Sequence, residues 1–175
     1  AYTKVAAPDW LSFDATTGVL SGTPTNSDVG EHDVTLRATD DTNLKTDQTF
    51  TINVSNTNDA PVVSSNANTS IAEDSDYSYT FTATDPDVGD TLTYAATTLP
   101  SWLSFDASTR KLTGTPTNSN VGDHDVTLSV TDAGGLGDEQ SFTITVTNTA
   151  DAPSITSTAK TAAAEDTAFS YVFTA

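Results

Sequence analysis

Apolar side chains recur at every second position along several stretches of this chain. Tyr77, Tyr79, Phe81 and Ala83 alternate with Ser78, Thr80, Thr82 and Thr84. Val126, Leu128 and Val130 alternate with Thr127, Ser129 and Thr131, and Phe142, Ile144 and Val146 with Thr143, Thr145 and Thr147. A period of two sends one set of side chains to a core and the other to water, as a half-buried strand requires. The abundance of Thr and Val suits a pleated surface better than a helix, and no stretch carries a helical period. Turn signals at Val88-Gly89-Asp90, Thr115-Pro116-Thr117-Asn118 and Ala133-Gly134-Gly135 interrupt the runs, roughly every 8–12 residues. The pattern predicts an all-β chain whose six or seven short strands form an antiparallel, immunoglobulin-like β-sandwich.

The pattern also repeats. The segment beginning PDWLSFDATTGVLSGTPTNSDVGEHDVTL at Pro8 returns as PSWLSFDASTRKLTGTPTNSNVGDHDVTL at Pro100, an offset of 92 residues, and 35 of the first 60 residues match their partners at that offset without a gap. Asn56-Thr57-Asn58-Asp59-Ala60-Pro61 returns as Asn148-Thr149-Ala150-Asp151-Ala152-Pro153, and Glu73-Asp74 as Glu165-Asp166. A constant offset marks a tandem array. Residues 61–152 form one complete unit, residues 1–60 the last two-thirds of another, and residues 153–175 the first quarter of a third. Joined, the two partial units would rebuild a sandwich lacking only the equivalents of Thr84–Leu92. The sequence therefore leads us to expect either head-to-tail or strand-swapped self-association of the partial units, or a longer polypeptide that supplies their missing parts.

Composition narrows the function. The 175 residues carry 24 acids against six bases, a formal net charge of −18, and no cysteine. Phosphate binding needs Lys and Arg, so nucleic acid is not an expected partner. No apolar run approaches the ~18 residues of a membrane helix, so membrane insertion is not expected either. No disulfide supports the fold, and a secreted chain without disulfides often relies on metal ions instead. No leader peptide is visible in what reads as a fragment of a longer chain.

The acids are not evenly spread. Ala83-Thr84-Asp85-Pro86-Asp87-Val88-Gly89-Asp90 places three carboxylates within six residues with no basic side chain among them. That segment, together with Trp-Leu-Ser-Phe-Asp, Gly-Thr-Pro-Thr-Asn and Asn-Asp-Ala-Pro, resembles the cadherin-like domains of the dystroglycan type, also described as Ig domains of large bacterial surface proteins. The resemblance covers essentially the whole chain. It implies rod-like, calcium-dependent tandem arrays at the bacterial cell surface, used for adhesion or glycan binding.

Residue by residue, the resemblance implies calcium ligands at Asp85 and Asp87, with Asp90 beside them, at Asn58 and Asp59 in the linker, and at Asp132 closing the penultimate strand. Glu73 and Asp151 would serve the next junction down. The acidic Asp-Arg-Glu motif of cadherins is absent; Pro24-Thr25-Asn26 and Pro116-Thr117-Asn118 stand in its place, offering Asn26 and Asn118. The linker is also one residue shorter, so fewer or weaker ions per junction are expected. Elementary coordination chemistry agrees, because calcium takes six to eight oxygens from carboxylates, amides and carbonyls on pliable loops. Zinc prefers His and Cys. Asp74, Asp76, Asp106 and Asp138 read instead as ordinary turn aspartates.

No catalytic residues are expected. His124 and Asp125 point to opposite faces of one strand, no Gly-x-Ser-x-Gly elbow exists, and the acids gather at domain ends rather than in a groove suited to glycoside hydrolysis. Trp10 and Trp102 read either as core aromatics or as platforms for sugar rings. Two functions follow: a calcium-stiffened stalk of a cell-surface adhesin, or a calcium-dependent module that binds polysaccharide through Trp10 and Trp102 or through a calcium-bridged sugar hydroxyl. Near-identical repeats favour the stalk.

Overall fold

The computed structural model describes residues 1–175. The complete repeat contains β6 (Val62–Val63), β7 (Ser70–Ala72), β8 (Tyr77–Thr80), β9 (Ala83–Thr84), β10 (Thr93–Thr98), β11 (Leu103–Asp106), β12 (Lys111–Gly114), β13 (Gly122–Thr131) and β14 (Gly137–Thr147). One sheet has the order β10-β13-β14-β7 and the other β11-β12-β8, which the short β6-β9 pair extends. That extension is continuous because the Phe81 N–H, between β8 and β9, bonds the Arg110 carbonyl just before β12.

Every pairing but one is antiparallel, as the alternation predicts. The exception is β7, which lies parallel to β14 with Thr145, Val146 and Thr147 opposite Ser70, Ile71 and Ala72. The first strand of the repeat thus divides: β6 joins β9 in one sheet and β7 joins β14 in the other.

The inward residues of both sheets meet in one core of Tyr77, Tyr79, Phe81, Leu103, Leu112, Val126, Leu128, Val130 and Ile144. Their outward neighbours Ser78, Thr80, Thr143 and Thr145 are exposed. Phe81 is fully buried, packing edge-on against Tyr94 at 5.8 Å and Phe105 at 6.5 Å. Aromatic rings favour such edge contacts because a positive rim meets a negative face.

Residues 1–60 fold as the matching portion of the same sandwich. β1 (Tyr2–Ala6), β4 (Gly30–Thr39) and β5 (Lys45–Val54) form one sheet, and β2 (Leu11–Asp14) pairs only with β3 (Val19–Gly22). Both units place a single 3-10 turn before the long hairpin, at Asn26–Asp28 and Asn118–Asn120. Residues 153–175 contain no assigned strand.

Candidate metal centre

The Asp85–Asp90 loop leaves the end of β9 and turns back toward the linker. Pro86 fixes its own φ, and Gly89, at φ +87°, takes the left-handed conformation that a side chain would resist. The effect is to fold the three carboxylates inward. One oxygen from each of Asp85, Asp87 and Asp90 lies within 4.8 Å of the others.

The hydrogen bonds then leave two oxygens bare. Asp85 Oδ1 accepts the Asp87 N–H at 2.8 Å, and Asp87 Oδ2 accepts the Asp59 N–H at 2.7 Å. Asp87 is 7% exposed, yet its Oδ1, like Asp85 Oδ2, is buried without any partner. A buried charged oxygen with no donor is costly. The only ion pair in the structure joins Arg37 to Asp47, so no cationic side chain relieves this cluster.

Two further segments close around it. Asp132, 6% exposed at the end of β13, accepts the Leu136 N–H on Oδ1 and the Asn58 amide on Oδ2, both at 2.8 Å. Asn58 is held down by Gly134: a Cβ there would lie 2.5 Å from the Asn58 amide nitrogen. The linker, the acidic loop and this turn together line an open cleft that includes Asn56, Asn58, Asp87, Asp90 and Gly134. Three segments distant in sequence therefore converge, and Asn58, Asp59, Asp85, Asp87, Asp90 and Asp132 all lie at one junction.

Asn26 reaches the same junction from the preceding unit, but in an orientation the sequence does not reveal. Its amide nitrogen donates to Asp59 Oδ2 at 2.7 Å, and Asn118 donates likewise to Asp151 Oδ2 at 2.7 Å. Each asparagine grips the linker aspartate through its NH2 group, which leaves its amide oxygen free of that bond. Glu73 occupies the opposite end of the complete repeat with Asp151 and Asn118. Its Oε1 accepts the Thr149 N–H, while its Oε2 is buried without a partner in a side chain only 2% exposed. Two separate ends of one repeat thus bury carboxylate oxygens that lack donors.

The turn aspartates behave differently. Asp106 accepts from the Ser108 hydroxyl and N–H, and Asp76 from the Thr115 hydroxyl. Asp138 accepts the Val63 N–H, stitching β14 to β6.

The indoles are packed. Trp102 lies against the core, edge-on to Tyr77 at 6.0 Å and to His124 at 5.8 Å, and Trp10 lies edge-on to His32 at 5.9 Å. Both indoles remain half-buried, and their Nε1 atoms are buried without a hydrogen-bond partner. His124 donates from Nε2 to the Asn120 carbonyl at 2.6 Å, a structural bond repeated by His32 and Asp28.

Comparison with known proteins places this geometry in context. A model of the family described as "Putative Ig domain" matches residues 1–55 and 60–147, so the chain belongs to that family. A serine-rich adhesin for platelets from Staphylococcus aureus strain MRSA252 is 36% identical over 159 residues, 91% of this chain and 11% of the adhesin. The corresponding adhesin of strain MSSA476 is also 36% identical, and the chain spans 7% of it. The chain therefore spans about a tenth or less of the length of these relatives. Among solved structures, protocadherin gamma B4 aligns with a TM-score of 0.59 and 20% identity over 84% of this chain and 27% of that one. Human CDH23 EC21-23 aligns at 0.59 and 20% over 85% and 57%. These structural likenesses establish a cadherin-like sandwich. No helix is long and apolar enough to cross a membrane.

Proposed function

We propose that these Ig-family repeats form a calcium-stiffened extracellular spacer in the stalk of a bacterial surface adhesin. One observation carries the reading: Asp85 and Asp87 each bury an oxygen with no hydrogen-bond partner, beside Asp90 and with no neighbouring cation. Oxygen donors from three segments on loops are the set that a hard divalent cation takes. Asp85, Asp87 and Asp90 would supply the central carboxylates, Asp132 and the linker residues Asn58 and Asp59 the flanking oxygens. The ion would neutralise carboxylates that otherwise repel and tie the linker to both domain ends, so that adjacent repeats resist bending. Glu73 and Asp151 would begin the equivalent site at the next junction. Asn26 and Asn118 would hold Asp59 and Asp151 through their NH2 groups, and their amide oxygens would remain available as further ligands.

The adhesin relatives support the surface location and the non-enzymatic role. Near-identical repeats favour the spacer over the polysaccharide-binding alternative.

Calorimetric titration with calcium, followed by thermal melting with and without chelator, tests the reading. An ion that binds only the folded junction adds about 2.7 kcal/mol at a hundredfold excess over Kd. Calcium should raise the melting temperature of the 175-residue chain, and Asp87→Ala should remove both the binding heat and the shift. No heat of binding and superimposable melting curves would reject calcium as a structural element.

A further inference from the structure

We propose that Gly134 is a positioning residue for the junction. By carrying no side chain it seats the linker on the complete repeat, and the residue at this place of the turn sets how firmly a repeat holds the linker before it. Its bearing on calcium affinity rests on the junction reading; the seat itself is steric.

The turn does not need this glycine. Asp40-Asp41-Thr42-Asn43-Leu44 in the first unit and Asp132-Ala133-Gly134-Gly135-Leu136 in the complete repeat stand 92 positions apart, and they join β4 to β5 and β13 to β14. Their backbones follow one path. The Asp40 N–H donates to the Leu44 carbonyl at 3.0 Å, and the Asp132 N–H to the Leu136 carbonyl at 2.9 Å. The Asn43 N–H reaches the Asp40 carbonyl at 3.3 Å, as the Gly135 N–H reaches that of Asp132 at 3.4 Å. In each turn the aspartate Oδ1 accepts the leucine N–H at 2.8 Å. Asn43 and Gly135 take the left-handed conformation, at φ +64° and +90°, whereas Thr42 and Gly134 do not. The backbone at this place therefore admits a side chain, and the first unit carries one.

What excludes a side chain at position 134 is the linker. A Cβ there would lie 2.5 Å from the Asn58 amide nitrogen and 2.6 Å from both its carbon and its oxygen. Three nearly equal distances mean that the flat face of the amide rests on the Gly134 backbone. At Gly135 the same added atom would meet nothing within 4 Å. One position of the turn alone makes the seat.

The seated linker is then fixed in sequence. Asn58 donates its NH2 group to Asp132 Oδ2 at 2.8 Å, and the Asp59 N–H donates to Asp87 Oδ2 at 2.7 Å. Pro61 follows, fully buried. Turn and acidic loop thus hold neighbouring residues of one short segment.

Thr42 differs from Gly134 in two ways. Its Cβ occupies the place on which an asparagine would rest, and its hydroxyl donates to Asp40 Oδ1 at 2.8 Å. That adds a donor to the aspartate equivalent to Asp132, and so uses oxygen capacity that a cation would take. A turn of the Thr42 kind holds a linker less closely, and in an array the stiffness of each junction follows from one residue.

Amide hydrogen exchange, read by NMR on the 175-residue chain in calcium and again in chelator, tests this. The Asp59 N–H reports the seat, because its acceptor Asp87 belongs to the repeat. Gly134→Thr should speed its exchange at least about tenfold, the scale of one lost hydrogen bond to a charged group. The core amides of Val126 and Leu128 should keep their wild-type rates, which separates loss of the seat from unfolding. Gly134→Ala, which adds the clashing atom alone, should act in the same direction, and Gly135→Asn should change nothing. In an Asn58→Gly background Gly134→Thr should have no further effect, since the clash has lost its other partner. An Asp59 amide unprotected in both buffers, or one that Gly134→Thr leaves equally protected in both, would overturn the proposal. A wild-type chain that takes up no calcium yet shows the Asp59 response would reject the junction reading and leave the seat standing.

Discussion

Leu112 and Leu20, Leu128 and Leu36, and Tyr94 and Tyr2 are the same residues in the two sandwich units, 92 positions apart. Their surroundings differ. Leu112 and Leu128 are fully buried, whereas Leu20 and Leu36 remain partly open and Tyr2 is 52% exposed. The backbone hardly registers the change: β4 and β5 pair in the same register as β13 and β14, with Val34 opposite Phe50 as Val126 is opposite Phe142. Strand pairing and turn chemistry are therefore local properties of the sequence between β1 and β5. Closure of the core is not local; it depends on the segment that contributes Tyr77, Tyr79 and Phe81. That segment fills the space between the sheets and pairs the edge of each.

The contrast can be broken most sharply at its aromatic centre. Phe81→Ala empties the middle of the closed core and should cost the complete repeat about 3–5 kcal/mol, read by urea denaturation. Phe173→Ala removes an exposed ring, and measured on single chains it should leave the stability of the complete repeat within about 0.5 kcal/mol. Equal losses at the two positions would mean that the third unit is packed against the second. Next in size, Leu112→Ala should cost about 2–5 kcal/mol, and Leu20→Ala a fraction of that, because Leu20 already touches water. Differential scanning calorimetry on each variant separates the two units.

The smallest effect sharpens the local side of the comparison. The Ser108 hydroxyl, with the Ser108 and Thr109 N–H groups, holds the Asp106 carboxyl down to about 2. In the first unit the Thr17 hydroxyl and Thr16 N–H pull Asp14 below its ordinary value of 3.8. A depressed carboxyl contributes stability that is present above its unfolded pKa and lost as pH falls through the folded one. For Asp106 that window runs from the ordinary 3.8 down to about 2. An NMR titration should find Asp106 near the bottom of this window and Asp14 displaced in the same direction. An undisplaced Asp14 would show that the turn fails to form without a closed core.

The alternation of Tyr77, Tyr79 and Phe81 was legible in the sequence because a half-buried strand writes its two faces into alternate positions. The 92-residue period was legible because Trp-Leu-Ser-Phe-Asp, Gly-Thr-Pro-Thr-Asn and His-Asp-Val-Thr-Leu return unchanged at the same offset. Asp85, Asp87 and Asp132 were named on resemblance, and the structure brings them to the same junction as Asn58 and Asp59. Other features were hidden. Ser70-Ile71-Ala72 is too short to show a period, so the parallel pairing of β7 left no signal. Asn26 was readable as an oxygen donor, but which end of an amide faces Asp59 depends on a contact 33 residues away. Gly134 read as a plain turn glycine, and only the approach of Asn58 explains why a side chain there would not fit.

The parallel pairing of β7 with β14 bears on how the repeat responds to tension. β7 lies near the start of the repeat and β14 at its end, so a pull along the array draws them in opposite directions along their common axis. The bonds between them, such as Thr145 N–H to the Thr69 carbonyl at 2.9 Å and Glu73 N–H to the Thr147 carbonyl at 3.0 Å, are then loaded side by side in shear. They must fail together rather than peel one at a time. In a stalk of the kind proposed, three residues of parallel strand would act as a mechanical clasp on the sandwich.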